Sequence, residues 1–60
     1  MKSSEFHRKI RRSKKWRFVK AEGSHYIYEN KEGRYYPVPY HGAKEMDESL
    51  RKKIEKDMEL

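Results

Sequence analysis

Residues 16–28 have the sequence WRFVKAEGSHYIY, and this segment determines the fold that the chain predicts. From Trp16 to Ala21 the large apolar residues alternate with other side chains, which is the period of a β-strand. The next three residues, Glu22-Gly23-Ser24, favour a tight turn because glycine adopts positive φ without strain. The aromatic and β-branched residues at 25–28 are typical of a second strand. The segment therefore predicts an antiparallel hairpin.

A third strand is predicted directly after this hairpin. Residues 30–33, Asn-Lys-Glu-Gly, favour a second turn with Gly33 near its left-handed position. The following residues, Arg34 to Val38, predict the strand. Pro37 has no N–H to donate, so this strand should lie at an edge of the sheet, or Pro37 should face away from its neighbour.

A helix is predicted on each side of the strands. Phe6 and Ile10 lie four residues apart, which indicates a short helix over about Ser3–Lys14 with Ser3 or Ser4 as its N-cap. The second helix has a predicted N-cap and an apolar residue at every fourth position. These residues are Asp47 as the cap, and Met46, Leu50, Ile54 and Met58 as the apolar stripe.

The predicted element order is α-β-β-β-α, an α+β fold. Each helix has one apolar stripe, so the economical packing places both helices on one face of a three-stranded antiparallel sheet. The helix-side core is expected to include four strand residues, Trp16, Phe18, Tyr36 and Val38. If Tyr26 and Tyr28 join that face, His25 projects from the open face. His7 lies beside Arg8 on the first helix, so we expect it to be exposed.

The composition fits one small basic domain over residues 1–60. Only 33% of the residues are hydrophobic and no cysteine is present, so the core must be thin and no disulfide can support it. No apolar run is long enough for a membrane span or a signal peptide. We therefore expect a cytoplasmic protein with no membrane contact and no small-molecule cofactor.

Positive charge is concentrated near the beginning of the chain. Lysine and arginine number 16 against 10 aspartate and glutamate, which gives a net charge of +6. Residues 7–17 are densely basic, whereas residues 45–60 are nearly balanced. Such a cluster either follows the phosphates of a nucleic acid or forms a solvated face, and we favour phosphate binding.

Two motifs carry a family resemblance. The first is Gly23-Ser24-His25-Tyr26-Ile27-Tyr28, and the second, after the third strand, is Val38-Pro39-Tyr40-His41-Gly42. Trp16 stands just ahead of the first strand, and the chain starts with MKSSEF and continues into ESLRKKI at residues 48–54. In these features the chain resembles the HicA family of bacterial toxins over nearly its whole length.

The resemblance implies a type II toxin–antitoxin toxin with a fold like that of double-stranded-RNA-binding domains. It implies metal-independent cleavage of mRNA that blocks translation, with His25 catalytic, and neutralisation by a HicB-like antitoxin. Three positions depart from the family pattern: Lys15 replaces a usual glycine, Lys20 a frequent arginine, and Glu22 a neutral or basic residue. These departures concern phosphate binding more than the fold.

A ribonuclease without a metal ion can use the RNA 2′-hydroxyl as its nucleophile. It then needs a base, an acid and cations around the phosphate. Histidine suits proton transfer because it titrates near neutral pH, so His25 is the predicted base or acid. The predicted phosphate contacts are Lys20, Arg17 and Arg34. The histidines lack the spacing of metal ligands and cysteine is absent, so we predict no metal site.

The other candidates have two interpretations each. Gly23 and Ser24 are turn residues or RNA contacts. His41 is an RNA contact and second proton-transfer group, or a hydrogen-bond partner for the start of the second helix. The whole chain is alternatively a non-catalytic RNA-binding module, or an adaptor that binds an acidic protein. The His25→Ala variant separates the enzyme from the module, because only an enzyme loses cleavage while it keeps RNA binding. The adaptor predicts no RNA affinity at moderate salt.

Overall fold

The computed structural model describes residues 1–60 as two helices and a three-stranded sheet. In chain order these are α1 (Ser3–Ser13), β1 (Trp16–Glu22), β2 (His25–Asn30), β3 (Tyr35–Pro39) and α2 (Glu48–Met58). The strands are antiparallel in the order β1-β2-β3. The predicted α-β-β-β-α fold is confirmed, with small shifts at the element ends. The topology is compatible with that of double-stranded-RNA-binding domains.

Helix α1 begins differently from the prediction. Its N-cap is Lys2, whose backbone N–H donates to Oε1 of Glu5 at 3.0 Å. The predicted cap at Ser3 or Ser4 is wrong, because both serines lie within the first turn. Their backbone N–H groups donate to two carbonyls of the loop before α2, each at 2.8 Å. Contacts across the fold therefore satisfy donors that an isolated helix would leave to water or to a cap.

Helix α2 is capped as predicted, because the Asp47 carboxylate accepts the N–H of Leu50 at 3.2 Å. Its apolar stripe is buried only in part. Ile54 and Met58 are buried and Met46 is half-buried, but Leu50 is 40% exposed, so its predicted burial is wrong. Residues four apart advance by about 40° more than one turn, so Leu50 is rotated by about 80° from Met58.

The core joins both helices to one face of the sheet. Seven apolar residues are buried in it: Phe6, Ile10, Trp16, Tyr28, Val38, Ile54 and Met58. Fully burying such a side chain contributes about 1.5–3 kcal/mol. Trp16 also donates its Nε1–H to the carbonyl of Met58 at 2.9 Å, which attaches β1 to the end of α2. Phe18 differs from its predicted burial: it is 41% exposed at the sheet edge, with Tyr26 and Tyr28 beside its ring.

The two edges of the sheet differ in their irregularities. Strand β3 forms one edge, as Pro37 predicts. Just after β3, the N–H of Tyr40 donates to the carbonyl of Ser24 at 2.7 Å. Antiparallel residues alternate between bonded and non-bonded positions, so Pro37 and Pro39 both take non-bonded positions. Strand β1 forms the other edge and contains a bulge at Val19.

Candidate functional site

His25 is the first residue of β2, directly after the turn that joins β1 to β2. Gly23 in this turn has a φ of +59°, a left-handed conformation that favours glycine. Tyr26 contacts a ring of α1 and Tyr28 is buried in the core, so both lie on the helix side. Side chains alternate along a strand, so His25 lies on the open face, and it is exposed there.

The cross-strand neighbours of His25 are Glu22 on β1 and Pro39 on β3. Lys20, two residues before Glu22, pairs its ammonium with the Glu22 carboxylate at 3.0 Å. Both side chains of this ion pair are well exposed, so the pair contributes only about 0–1 kcal/mol. An incoming phosphate can therefore replace Glu22 as the partner of Lys20 at little cost.

The open face also contains a shallow depression beside this ion pair. Its lining residues are Val19, Lys20, Glu22, Ile27 and Tyr35. Ile27 follows His25 by two residues on β2 and therefore lies on the same face. The depression thus lies on the same face as the imidazole and combines an apolar floor with the Lys20–Glu22 ion pair.

The other two predicted phosphate contacts lie farther from His25. Arg17 forms an ion pair with Glu29, the residue opposite it on β2. Arg34 lies in the turn between β2 and β3, where its backbone N–H donates to Oδ1 of Asn30 at 2.9 Å. Asn30 lies five positions after His25 along β2, which corresponds to about 17 Å. The structure therefore brings Lys20, but neither arginine, close to His25.

His41 lies at the same end of the sheet as His25. It is exposed, and it directly follows Tyr40, which is bonded to Ser24. The backbone N–H of His41 donates to Oγ of Ser3 at 3.0 Å. The interpretation of His41 as a hydrogen-bond partner for the start of the second helix is wrong, because the side chain forms no such bond and only the backbone N–H is bonded, to the first helix.

The predicted exposure of His7 is also wrong, because His7 is completely buried. Its Nδ1 lies 2.6 Å from the hydroxyl of Tyr28, and its Nε2 lies 2.8 Å from the carbonyl of Pro39. His7 follows the buried Ser3 by four residues and precedes the buried Ile10 by three. Helical neighbours at these spacings share a face, so this spacing was the signal that could have placed His7 inside.

The hydrogen bond to Pro39 fixes one proton of His7, because a carbonyl only accepts, so Nε2 carries a proton and donates to it. In the neutral imidazole, which burial favours, Nδ1 then accepts the hydroxyl proton of Tyr28. Burial lowers the pKa of His7; the bond to Pro39 opposes this shift and the nearby Arg11 adds to it. Burial raises the pKa of Tyr28 to about 12. A neutral imidazole and a protonated phenol therefore meet in the core.

Acid should destabilise the protein through His7. Its folded pKa lies below the unfolded value of 6.5, so the unfolded chain binds more protons in this range. The contribution of neutral His7 to the free energy of unfolding should be fully present above pH 6.5. It should fall as the pH decreases towards the folded pKa. The groups facing the ring are Arg11 on α1 and three tyrosines, Tyr26, Tyr28 and Tyr40. None of these four residues has a carboxylate, so no negative charge beside the ring favours the imidazolium form of His7.

Thermal unfolding of wild type, His7→Gln and His41→Gln between pH 8 and pH 5 measures this effect. We expect the melting temperature of wild type and His41→Gln to fall below pH 6.5, and His7→Gln to lose most of this decrease. Equal pH dependence in His7→Gln and wild type would contradict the assignment to His7.

Three arginines on the outer face of α1 are free of ion pairs. Arg8, Arg11 and Arg12 are exposed, and none forms a salt bridge. Their spacing of three and four residues places them side by side on the helix surface. Lys9, by contrast, pairs with Glu55 of α2 at 2.6 Å. The unpaired positive charge of this region therefore forms a stripe on α1, which we call the arginine stripe.

The structure also bears on two other possibilities, a metal site and a membrane-spanning helix. No three side chains of His, Cys, Asp or Glu are grouped so that they could hold a metal ion. Neither helix has the length and apolar character that crossing a bilayer requires.

Comparison with known proteins finds one family. A family model described as "HicA toxin of bacterial toxin-antitoxin" matches residues 3–60, which is nearly the whole chain. No curated protein and no solved structure matches the chain.

Proposed function

The chain belongs to the HicA toxin family of bacterial toxin–antitoxin systems, and we propose that it is an endoribonuclease that cleaves mRNA and so blocks translation. The observation that carries this proposal is His25, exposed on the open face at the start of β2. An exposed imidazole beside a depression is accessible to a polymer substrate. The lysine next to it supplies positive charge for a phosphate.

We assign proton transfer to His25. The RNA 2′-hydroxyl attacks the adjacent phosphorus while His25 accepts its proton, and the bond from phosphorus to the 5′-oxygen breaks. The products are a 2′,3′-cyclic phosphate and a 5′-hydroxyl, whose proton comes from an acid. General acid–base catalysis of this kind contributes about 10²–10⁴-fold. His41 is the candidate acid, because it lies at the same end of the sheet.

Phosphate binding is divided between two surfaces. Of the three predicted phosphate contacts, Lys20 lies closest to His25 along the sheet, and Gly23 and Ser24 belong to the turn that leads into His25. Arg17 and Arg34 can contact only more distant phosphates, since they lie along or beyond β2. The arginine stripe on α1 offers three cations that no carboxylate neutralises. The stripe lies on the helix side of the sheet and His25 on the open face, so an RNA that contacts both has to pass around an edge of the sheet.

The arginine stripe also favours the alternative function, a non-catalytic RNA-binding module. Such a module would bind RNA through the unpaired cations, and its His25 would catalyse no reaction. Both functions predict RNA binding that weakens with salt, so binding alone does not distinguish them. The two functions are distinguished by RNA cleavage and by whether that cleavage depends on His25.

The proposed protein partner is a HicB-like antitoxin. The toxin has a net charge of +6, so an acidic partner is attracted to it over long distances. A partner that covers the open face would block His25 and the Lys20 site together. Neutralisation then requires no change in the fold of the toxin.

Cleavage of a labelled RNA by the purified protein tests the proposed chemistry. We expect cleavage in the presence of EDTA, products with 2′,3′-cyclic phosphate ends, and no cleavage where the 2′-hydroxyl is replaced by hydrogen. The physical reason is that the nucleophile belongs to the RNA and the proton acceptor to His25. Cleavage that stops with EDTA, or that continues without the 2′-hydroxyl, contradicts this mechanism.

A further inference from the structure

We propose that Ser3 and His7 of α1 are positioning residues for His25, acting through the backbone of residues 39–41. This inference rests on the proposed function, because it takes His25 as the group that meets the reacting atoms. Three sets of contacts connect α1 to His25: those from α1 to residues 39–41, those from residues 39–41 to β2, and those of the aromatic rings on both sides of His25.

The first step is the contact between α1 and residues 39–41. Ser3 and His7 are the buried polar residues of the protein, and both lie on α1. His7 donates Nε2–H to the carbonyl of Pro39 at 2.8 Å, and Ser3 accepts the N–H of His41 at 3.0 Å. Burying polar groups is costly unless they are hydrogen-bonded. Both buried polar side chains of α1 thus bind the backbone of one three-residue segment.

The second step is the contact between this segment and β2. Pro39 is the cross-strand partner of His25, and the N–H of Tyr40 donates to the carbonyl of Ser24 at 2.7 Å. Pro39 takes a non-bonded position, so no backbone hydrogen bond joins it directly to His25, and the nearest such bond is that of Tyr40 to Ser24. The bonds from α1 therefore hold the same backbone segment that pairs with the start of β2.

The third step is the packing of rings beneath His25. Tyr40 stacks on Tyr26 with ring centroids 4.5 Å apart and an angle of 11° between the planes. The ring of His7 meets both tyrosines in edge geometry, at 5.1 Å from Tyr26 and 5.0 Å from Tyr40. Tyr26 follows His25 in β2, and Ser24 precedes it. The chain is therefore held on both sides of His25 from the helix side, and the imidazole stays free on the open face.

Four variants test this arrangement. His7→Leu removes both hydrogen bonds of the imidazole, and Ser3→Ala removes the acceptor for the N–H of His41. His7→Gln keeps one donor and one acceptor in the side-chain amide and should restore the wild-type behaviour. The control is Tyr36→Phe, which removes a hydroxyl bonded to Asp57 at 2.8 Å on α2. This control loses a partly buried hydrogen bond that lies outside the proposed attachment.

The measurements are the rate of RNA cleavage, the NMR signals of the His25 ring, and amide exchange at Tyr40 and His41. In His7→Leu and Ser3→Ala we expect kcat to fall by about 10–10²-fold with KM nearly constant, since small displacements of catalytic groups are costly. The His25 ring signals should shift, and the two amides should exchange about tenfold faster or more, because their opening becomes easier. His7→Gln and Tyr36→Phe should resemble wild type in all three measurements.

Unchanged His25 signals and unchanged amide exchange in folded Ser3→Ala and His7→Leu would overturn the proposal. If His7→Leu does not fold, Ser3→Ala and His7→Gln decide the question by the same measurements. An equal effect of Tyr36→Phe would also overturn it, because general loss of stability would then explain the result. The NMR and exchange measurements need no RNA. Failure of the wild type to cleave RNA therefore refutes the proposed function separately from the positioning role.

Discussion

Cells that express the His25→Ala variant should grow and keep their mRNA intact, whereas cells that express the wild type should stop growing as mRNA is lost. The variant retains the cations of α1 and the fold, since His25 is exposed and contributes nothing to the core. It loses the proton-transfer group, which is expected to cost about 10²–10⁴-fold in cleavage rate. Growth curves and the integrity of total mRNA measure both consequences.

Lys53→Ala, an exposed residue of α2, is the control for expression and should be as toxic as wild type. The purified His25→Ala protein should bind RNA with nearly unchanged affinity. Equal growth arrest by wild type and His25→Ala would place the chemistry elsewhere or make RNA binding itself toxic. No effect of either protein on growth or mRNA would favour the non-catalytic module.

Replacing Arg8, Arg11 and Arg12 together by glutamine should weaken RNA binding strongly and make it less sensitive to salt. Each phosphate contact with single-stranded RNA contributes about 0.7 to the slope of log affinity against log salt, so three contacts contribute about 2. At 0.1 M salt this corresponds to a loss of affinity of roughly 10²-fold. Titration of a labelled RNA at several salt concentrations measures the slope.

The matched control is the triple variant with Lys52, Lys53 and Lys56 of α2 replaced by glutamine. It removes the same formal charge from exposed positions on the other helix, so general electrostatic attraction falls equally in both proteins. A specific phosphate surface on α1 predicts a much smaller change in slope for this control. Identical slopes for the two triple variants would mean that only the net charge of the protein matters.

The local patterns of the chain were sufficient to predict the elements. The strands followed from the alternation around Trp16 and from the aromatic residues after His25, because period-two patterns need no knowledge of the rest of the fold. Asp47 was predicted correctly for the same reason, since a cap bonds only within its own helix. The start of α1 was predicted wrongly. Loop carbonyls that are distant in sequence accept the N–H groups that a cap would otherwise satisfy.

The candidate site was predictable only in part. His25 was proposed from its motif. Alternation along β2 placed it opposite Tyr26 and Tyr28, but which of the two faces is buried became clear only from the packing of the tyrosines. The pairing of Arg17 with Glu29 depends on the cross-strand register, which sets which charges meet. His7 was placed outside because its sequence neighbour Arg8 is charged. Burial on a helix depends instead on residues three and four positions away.

The two prolines of β3 have a consequence for how other chains can add to this sheet. An edge strand recruits a further strand through its outward N–H and C=O groups, which is the basis of β-augmentation and of sheet aggregation. At Pro37 and Pro39 the outward positions of β3 have no N–H, and the carbonyl of Pro39 is already bonded to His7. This edge is therefore a poor template for another strand. A protein that extended the sheet by backbone pairing would have to do so along β1.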